Sequence, residues 1–321
     1  MTFKIYKSES LSPYENLATE KYLTTHLSEG EVILFLWCNA DTIVIGRNQN
    51  VWQECRVSEF LESGGRIARR PSGGGAVYHD VGNLNFSFIY ADGAWSTEKG
   101  LDVIARACLP FGIKAEVSGR NDILVNGSKF SGNAFYSMEG ERGVKGVCHH
   151  GCILISADTS RLAKFLTVSK AKLESKGVRS VSSRVVNLGS ISDEVSVEAL
   201  SHSLANAFAP DLPVLAAPKN GEIEKETEVF SSSEWLFGRK IDFTHSFGER
   251  FPWGEINLCF KVSGGNITEC KVYSDSMNEA LAPTVEAAFK DKPFSHAALS
   301  ASLPEDMPEA EDIKGLIYRN I

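Results

Sequence analysis

The chain has 321 residues, a hydrophobic content of 43% and a formal net charge of −8. This length and composition suffice for one large domain and a smaller one, and the acidic balance argues against a nucleic acid as partner. No apolar run approaches the roughly 18 residues of a membrane span, and residues 1–22 lack the apolar segment of a secretory signal, so we expect a cytoplasmic protein that does not bind a membrane.

The first predicted elements, in chain order, are a helix, two strands and a second helix. Residues 12–15, Ser-Pro-Tyr-Glu, form a capping box with proline at the first helical position, which predicts a helix that continues through residue 27. The short apolar runs at 32–37 and 42–46 are rich in β-branched residues and predict strands, and the segment 53–63 has a helical composition.

A glycine-rich loop follows, with the sequence RRPSGGGAVYHD at residues 69–80. Glycine tolerates positive φ and leaves main-chain N–H groups open to a phosphate or carboxylate, and the forks of Arg69 and Arg70 can add the countercharge. The pattern therefore predicts an anion-binding loop, although it matches neither nucleotide fingerprint, GxxxxGK[ST] or GxGxxG. The alternative is a tight hairpin between extended residues 66–70 and 76–79.

Further along the chain the predicted elements alternate between strands and helices. Residues 83–90 alternate as a half-buried strand does, and helical patterns recur at 101–110 and 197–208. Residues 210–226 are rich in proline and charge without either periodicity, which indicates a linker. Beyond it we expect a β-meander that turns at Gly264-Gly265 and then a helix near 282–289.

A second candidate site lies in the segment GRNDILVNGSKFSGNAF, residues 119–135. It predicts two short strands joined by Asn126-Gly127, with Asp122 and Lys129 on either side of the turn. The glycine that follows Lys129 leaves space for a ligand, and an ammonium group suits a phosphoryl oxygen. A solvated hairpin lysine is the alternative.

The segment Cys148-His149-His150-Gly151-Cys152 places four possible metal ligands within five residues. Neighbouring side chains of a strand point to opposite faces, and no second ligand pair follows, so we favour a strand that continues through residue 156 over a zinc site. The seven cysteines are scattered and odd in number, which predicts reduced thiols.

Five motifs follow one another along the chain: RRPSGGGAVYHDVGNLNFSF, GRNDI, KFSGNAF, HHG and SRVVNL. In this order they resemble the lipoate-protein ligases, most closely the bacterial two-domain type. The later WLFG and ERFPWGEINLCF resemble the start of that family's C-terminal domain. The resemblance implies an α+β fold of mixed β-sheets flanked by helices, shared with biotin-protein ligases and class II aminoacyl-tRNA synthetases. It also implies a catalytic domain at 1–235 and a small α+β accessory domain at 236–321.

The implied activity is ATP-dependent activation of lipoate to lipoyl-AMP. The lipoyl group then passes to a specific lysine of a carrier domain, either in the E2 subunits of 2-oxoacid dehydrogenases or in the glycine cleavage H protein. Carried over to this chain, the family's ATP-binding positions are Arg70, Gly75, Ala76, Val77, Tyr78 and Lys129. Lipoate would be bound by Lys129, Arg70 and His149, with Lys129 as the catalytic residue.

Two residues near the expected phosphates need separate comment, Asp122 for its chemistry and Pro71 for its departure from the family pattern. Asp122 would hold Mg²⁺, because that ion commonly binds one or two carboxylates together with substrate phosphates, with a turn-capping aspartate as the alternative. Pro71 departs from the family pattern, in which serine is common, and removes one N–H donor from the loop.

The segment 161–184 carries seven Lys or Arg and one acid, Glu174. We predict a mobile loop that closes over the adenylate through Lys172, Lys176, Gly177 and Arg179, with a solvated helix face as the alternative. An ATP-independent octanoyl or lipoyl transferase that forms a thioester at Cys148 or Cys152 is the main alternative activity. A biotin ligase or a non-catalytic lipoate-binding protein is less favoured.

Overall fold

The computed structural model describes residues 1–118, 122–167, 185–237 and 244–321. Within these ranges the chain has the expected α+β fold, with mixed sheets and flanking helices. None of the helices in the described ranges is long and apolar enough to cross a membrane.

The strands of the described ranges are β1 Thr2–Lys7, β2 Glu31–Trp37, β3 Thr42–Ile45, β4 Arg66–Arg69, β5 Val77–His79, β6 Asn83–Ala91, β7 Glu116–Ser118, β8 Asp122–Val125, β9 Ser128–Glu139, β10 Lys145–Leu154, β11 Val214–Ala216, β12 His245–Phe251, β13 Gly254–Ser263 and β14 Asn266–Ser274. They form three sheets, with the orders β11-β1-β2-β6-β10-β9-β8-β7, β4-β3-β5 and β12-β13-β14.

The described residues contain eleven α-helices. Their bounds are α1 Pro13–Thr25, α2 Val51–Glu54, α3 Val57–Glu62, α4 Thr97–Cys108, α5 Thr159–Phe165, α6 Val197–Phe208, α7 Gly221–Ser231, α8 Ser233–Phe237, α9 Leu281–Phe289, α10 His296–Ser302 and α11 Ala310–Asn320. The single helix expected at 53–63 is two short helices, because Cys55 leaves the helical conformation and pairs with Leu166 in an isolated β-bridge.

Helix α1 begins where the capping box predicts. The side chain of Ser12 accepts a hydrogen bond from the N–H of Glu15, with Pro13 at the first helical position. The Glu15 carboxylate accepts from the Ser10 hydroxyl, which in turn accepts from the N–H of Ser12. In a capping box the glutamate normally accepts from the N–H of the N-cap residue; here that link runs through the Ser10 hydroxyl. The N–H groups of Ser12 and Glu15 are therefore both paired.

The large sheet is packed on both faces. One face lies against α4 and α6, and the other against α1 and α7. The central strand β6 is therefore buried at all nine positions, which corrects the expectation of a half-buried strand. Alternation along this strand distinguishes two buried faces and does not distinguish core from solvent.

The strands on either side of the glycine loop do not form a hairpin. Strand β3 lies between them, parallel to β4 and antiparallel to β5. The hairpin alternative is therefore wrong, and the loop joins the two outer strands of this sheet across β3.

The linker expected at 210–226 belongs to the packed structure. Strand β11 pairs in parallel with β1 at the sheet edge. Helix α7 buries Ile223 and Phe230 in the core that includes α1. The expectation of a linker was wrong for two reasons. Strand β11 is too short to show the alternation of a strand, and the polar residues of α7 form the exposed face of a helix that is otherwise packed.

The C-terminal strands and helices form their own apolar core, with Phe260, Val272 and Phe289 fully buried. The meander turns at Gly264 and Gly265, both with positive φ as predicted. This region meets the large region at the glycine loop and near Asn48. The N–H of Gly74 donates to Ser276, and the N–H of Ser274 donates to Asn48.

Candidate functional site

One row of paired residues crosses five strands of the large sheet. In order from β2 to β8 its members are Trp37, Asn85, Cys152, Gly132 and Asp122, and each pairs directly with the next. Paired residues of neighbouring strands project from the same face, so these five positions line one surface. It is the face covered by α1.

Lys129 extends over this row. Its ammonium lies 2.7 Å from Oδ1 of Asp122, and each side chain is about one-third exposed. A Cβ at Gly132 would lie only 2.9 Å from that nitrogen, so the glycine makes room for the lysine. The Asn126-Gly127 turn, with both φ angles positive, brings Asp122 and Lys129 together as predicted.

Arg70 is buried and holds the glycine loop. Its guanidinium donates to the carbonyl oxygens of Gly73 and Gly75, to Val44 and to the hydroxyl of Ser72. Burial lowers the pKa of Arg70 to about 10, which leaves the side chain charged at neutral pH. Arg70 therefore shapes the loop through carbonyl contacts, and its contact with ATP or lipoate stays a prediction.

Arg69 has a different role from its neighbour. It donates to the carbonyl oxygens of Gly46, Arg47 and Gln49, and to those of Trp235 and Leu236 in α8. The expectation that both arginines supply countercharge to a ligand therefore needs correction. Through its bonds to Trp235 and Leu236, Arg69 ties α8 to the small sheet that contains β4.

The three loop glycines differ in their environment. Only Gly74 among them has positive φ, at +90°. A Cβ at Gly73 would lie 2.4 Å from the carbonyl oxygen of Ser276. Glycine at these two positions therefore lets the backbone of the loop lie close against the C-terminal region. Gly75 lies next to Ala76 and the start of β5.

The side chain of Tyr78 packs against Phe60 in the core beneath the small sheet. Only its main chain could therefore contact a nucleotide.

A buried polar network, missed by the sequence reasoning, lies on the same face as the row. His150 Nδ1 donates to the Glu20 carboxylate at 2.9 Å, and His150 Nε2 lies 2.7 Å from the Ser72 hydroxyl, which reaches Arg70. Ser87 also donates to Glu20, at 2.5 Å. Burial alone would raise the pKa of Glu20, but the His150 contact and the hydroxyl donors lower it. The available signal was a glutamate on the buried side of α1.

Two family matches together cover most of the chain. Residues 12–209 match the lipoyl protein ligase A/B catalytic domain, and residues 240–313 match the bacterial lipoate protein ligase C-terminus. The chain belongs to the lipoate-protein ligase family. The first match alone covers more than half of the 321 residues.

Solved structures agree with this assignment to the lipoate-protein ligases. LipL1 of P. falciparum in complex with lipoate is 28% identical, with a TM-score of 0.86 over 99% of this chain and 100% of that one. Lipoate-protein ligase A bound with ATP is 21% identical, with a TM-score of 0.62 over 74% and 99%. The bipartite ligase of Thermoplasma acidophilum is 22% identical, with a TM-score of 0.63 over 76% and 100%. The last two show the shared fold.

His149 lies apart from Lys129 and Arg70, the other predicted lipoate ligands. Its Nε2 lies 3.0 Å from Asn133 Oδ1, and its ring packs against Phe86 and Phe88 on the face opposite Lys129. Burial lowers the pKa of His149 to about 3, so the ring is neutral. The structure brings His150 to the site in its place, and a lipoate contact from His149 stays a prediction.

Cys148 and Cys152, the two cysteines considered for an ATP-independent transferase, differ in their exposure. Cys148 is fully buried, with its pKa raised by burial and by Glu20, whereas Cys152 is partly exposed. Burial also raises the pKa of Cys152, and the charges of Lys129 and Arg70 act against it. The loop positions Lys172, Lys176, Gly177 and Arg179 lie outside the described residues.

Proposed function

We propose that this protein is an ATP-dependent lipoate-protein ligase that forms lipoyl-AMP and transfers the lipoyl group to a carrier lysine. The observation that carries the proposal is the ammonium of Lys129, held above Gly132 by Asp122. The positive charges of Lys129 and Arg70 both act against the rise in the pKa of the Cys152 thiol, so the row is electropositive at this point. An anionic acid and a nucleotide phosphate could meet there.

In the first step a carboxylate oxygen of lipoate attacks the α-phosphorus of ATP. The new O–P bond forms as the bond to pyrophosphate breaks, and negative charge builds on the phosphoryl oxygens. Lys129 offsets the charge of the two approaching anions, and the loop ordered by Arg70 offers N–H groups other than that of Gly74, which donates to Ser276. In the second step a neutral lysine amine attacks the acyl carbonyl, and AMP leaves.

Asp122 suits a Mg²⁺ ion bound together with the phosphates of ATP. Its carboxylate is about one-third exposed at the end of the row, and one carboxylate together with substrate phosphates and waters is a common set for this ion. When bound there, the ion would neutralise phosphate charge.

We further propose a cytoplasmic enzyme whose partners are lipoyl domains of 2-oxoacid dehydrogenase E2 subunits and the glycine cleavage H protein. The T. acidophilum ligase, which has the same fold, is described together with its E2 lipoyl domain. We propose that residues 1–235 form the catalytic domain and residues 236–321 an accessory domain, since the C-terminal elements have a separate apolar core.

The decisive test is lipoate-dependent exchange of pyrophosphate into ATP with the purified full chain and Mg²⁺. Exchange with lipoate, absent with biotin or without acid, would support adenylation. Failure of the folded protein to exchange with lipoate or octanoate would contradict it. An acylated protein sensitive to hydroxylamine and lost in Cys152→Ser would then identify an ATP-independent transferase, because Cys152 is the partly exposed cysteine of the row.

A further inference from the structure

Asn85 occupies the centre of the row and is fully buried. Neither Oδ1 nor Nδ2 of its side-chain amide has a hydrogen-bond partner among the described residues. Burying an unpaired amide is unfavourable, and the great majority of buried polar groups in proteins are paired. An orphaned amide in the middle of a candidate site therefore indicates a group that pairs with a ligand.

The neighbours of Asn85 define where that ligand would lie. Asn85 pairs with Trp37 on one side and with the partly exposed Cys152 on the other, and Gly132 beyond it has no side chain. Strands in a sheet are about 4.8 Å apart, so Asn85 and Gly132 are separated by roughly 10 Å. The ammonium of Lys129 occupies part of that span. A carboxyl group with a hydrogen bond at each end would bridge the Asn85 amide and this ammonium across Cys152.

We propose that the side-chain amide of Asn85 binds the carboxyl group of the acid substrate and later the carbonyl group of the acyl-adenylate. Nδ2 donates to the carboxyl oxygen that faces away from Lys129, so that the acid is held between an amide and an ammonium. This orients the other oxygen toward the phosphate. The inference rests on the proposed function and adds a binding residue for the acid.

Ser131 provides a matched control within the same sheet. Its hydroxyl is also buried and has no hydrogen-bond partner among the described residues. It pairs with Ile153 and Ile123, whose side chains belong to the core under α4 and α6, on the opposite face. An unpaired group there has no path to the ligand, so its removal reports only on packing.

The test compares Asn85→Leu, Ser131→Ala and the parent protein by calorimetric binding of lipoate and octanoate and by pyrophosphate exchange. For Asn85→Leu we expect the Kd of both acids to rise about tenfold or more, since a hydrogen bond to a charged group is lost. The KM for ATP should stay within twofold. The melting temperature without acid should stay the same or rise, because the orphaned amide is gone. Ser131→Ala should change none of the binding values.

An unchanged Kd in Asn85→Leu would overturn the inference, and so would a loss confined to lipoate, which would place Asn85 against the dithiolane ring. If Asn85→Leu fails to fold, Asn85→Asp serves, because it keeps the size and sets a carboxylate against the acid; normal acid binding there would also overturn the inference. Parent protein that binds acids but catalyses no exchange would contradict the proposed function alone. Normal exchange with an unchanged Kd in the variant would contradict the inference alone.

Discussion

The two faces of the large sheet are built from the same strands, and both are buried, but they differ in the polar groups that they enclose. The face under α4 and α6 is aliphatic and aromatic, with residues such as Phe86, Phe88 and Ile153. The face under α1 carries Asn85, Cys152 and the buried polar network around Glu20. Since side chains alternate along each strand, a single segment supplies both faces. The comparison teaches that burial alone does not identify the core, because the chemistry here is buried as deeply as the hydrophobic residues.

The largest expected effect comes from removing the cation over the polar face. Lys129→Ala should lower lipoate-dependent pyrophosphate exchange by about a hundred- to a thousandfold, as for loss of one preorganised donor to a developing charge. The circular dichroism spectrum should be unchanged, because the lysine side chain is one-third exposed. Lys145→Ala is the control, since Lys145 lies on β10 with its own partner, Asp92. Near-parent exchange in Lys129→Ala would remove this residue from the mechanism.

His149 and His150 are neighbours in β10 and project from opposite faces of the large sheet, so they test the two faces separately. His150→Phe leaves the buried carboxylate of Glu20 without its main partner, which should cost about 3 kcal/mol of unfolding free energy and weaken lipoate binding at least tenfold. His149→Phe places an aromatic ring between Phe86 and Phe88, and should leave the KM for lipoate unchanged. Urea unfolding and exchange kinetics of both variants check this. A raised lipoate KM in His149→Phe would instead support the ligand role predicted from the family.

Acidification tests two buried histidines, His149 of the large sheet and His79 of the small sheet, whose ring packs against Trp37 of the row. Burial lowers the pKa of His79, at the end of β5, and of His149 to about 3. In the unfolded chain both rings bind protons near pH 6.5, so unfolding takes up protons and stability falls as pH drops from about 6.5 toward 3. Each ring should contribute a loss of about 2 kcal/mol between pH 7 and pH 5. Urea unfolding at both pH values should show a smaller loss for His149→Phe; an identical loss would argue against a buried neutral ring there.

The smallest expected effect concerns the turn that carries Asp122 and Lys129 to the polar face. Gly127→Ala meets no neighbouring atom, but its φ is +77°, so the substitution should cost about 1 kcal/mol of unfolding free energy. Gly221, at the start of α7, also has open space and lacks positive φ, so Gly221→Ala should be neutral or stabilising. Thermal unfolding of both variants decides the matter. Equal effects would mean that the turn conformation is not what requires glycine.

Local features of the fold could be predicted from the sequence, and features that depend on distant partners could not. The start of α1 and the turns at Gly127 and Gly265 follow from a few adjacent residues. The burial of β6 on both faces and the place of β11 beside β1 depend on which segments pack around them. No window of sequence around either strand contains that information.

The site was predictable to a similar extent. Lys129 and Asp122 were predictable as neighbours because one turn joins their strands. The contrast between Arg69 and Arg70 was not, because both fit an anion loop until their partners are known. Glu20 and Asn85 were missed because a polar residue on a helix or strand is ordinarily assigned to solvent. Only the three-dimensional structure shows that both are enclosed.

The pairing of β6 with its neighbours also links folding to activity. A shift of one residue in this strand would put Leu84 where Asn85 stands and turn Phe86 toward α1, since every side chain would change sides. Such a chain would lose its aliphatic packing and its polar row in the same event. A molecule with the wrong register would therefore be unstable as well as inactive. The hydrophobic residues that set the strand register thus also fix the position of the polar residues of the site.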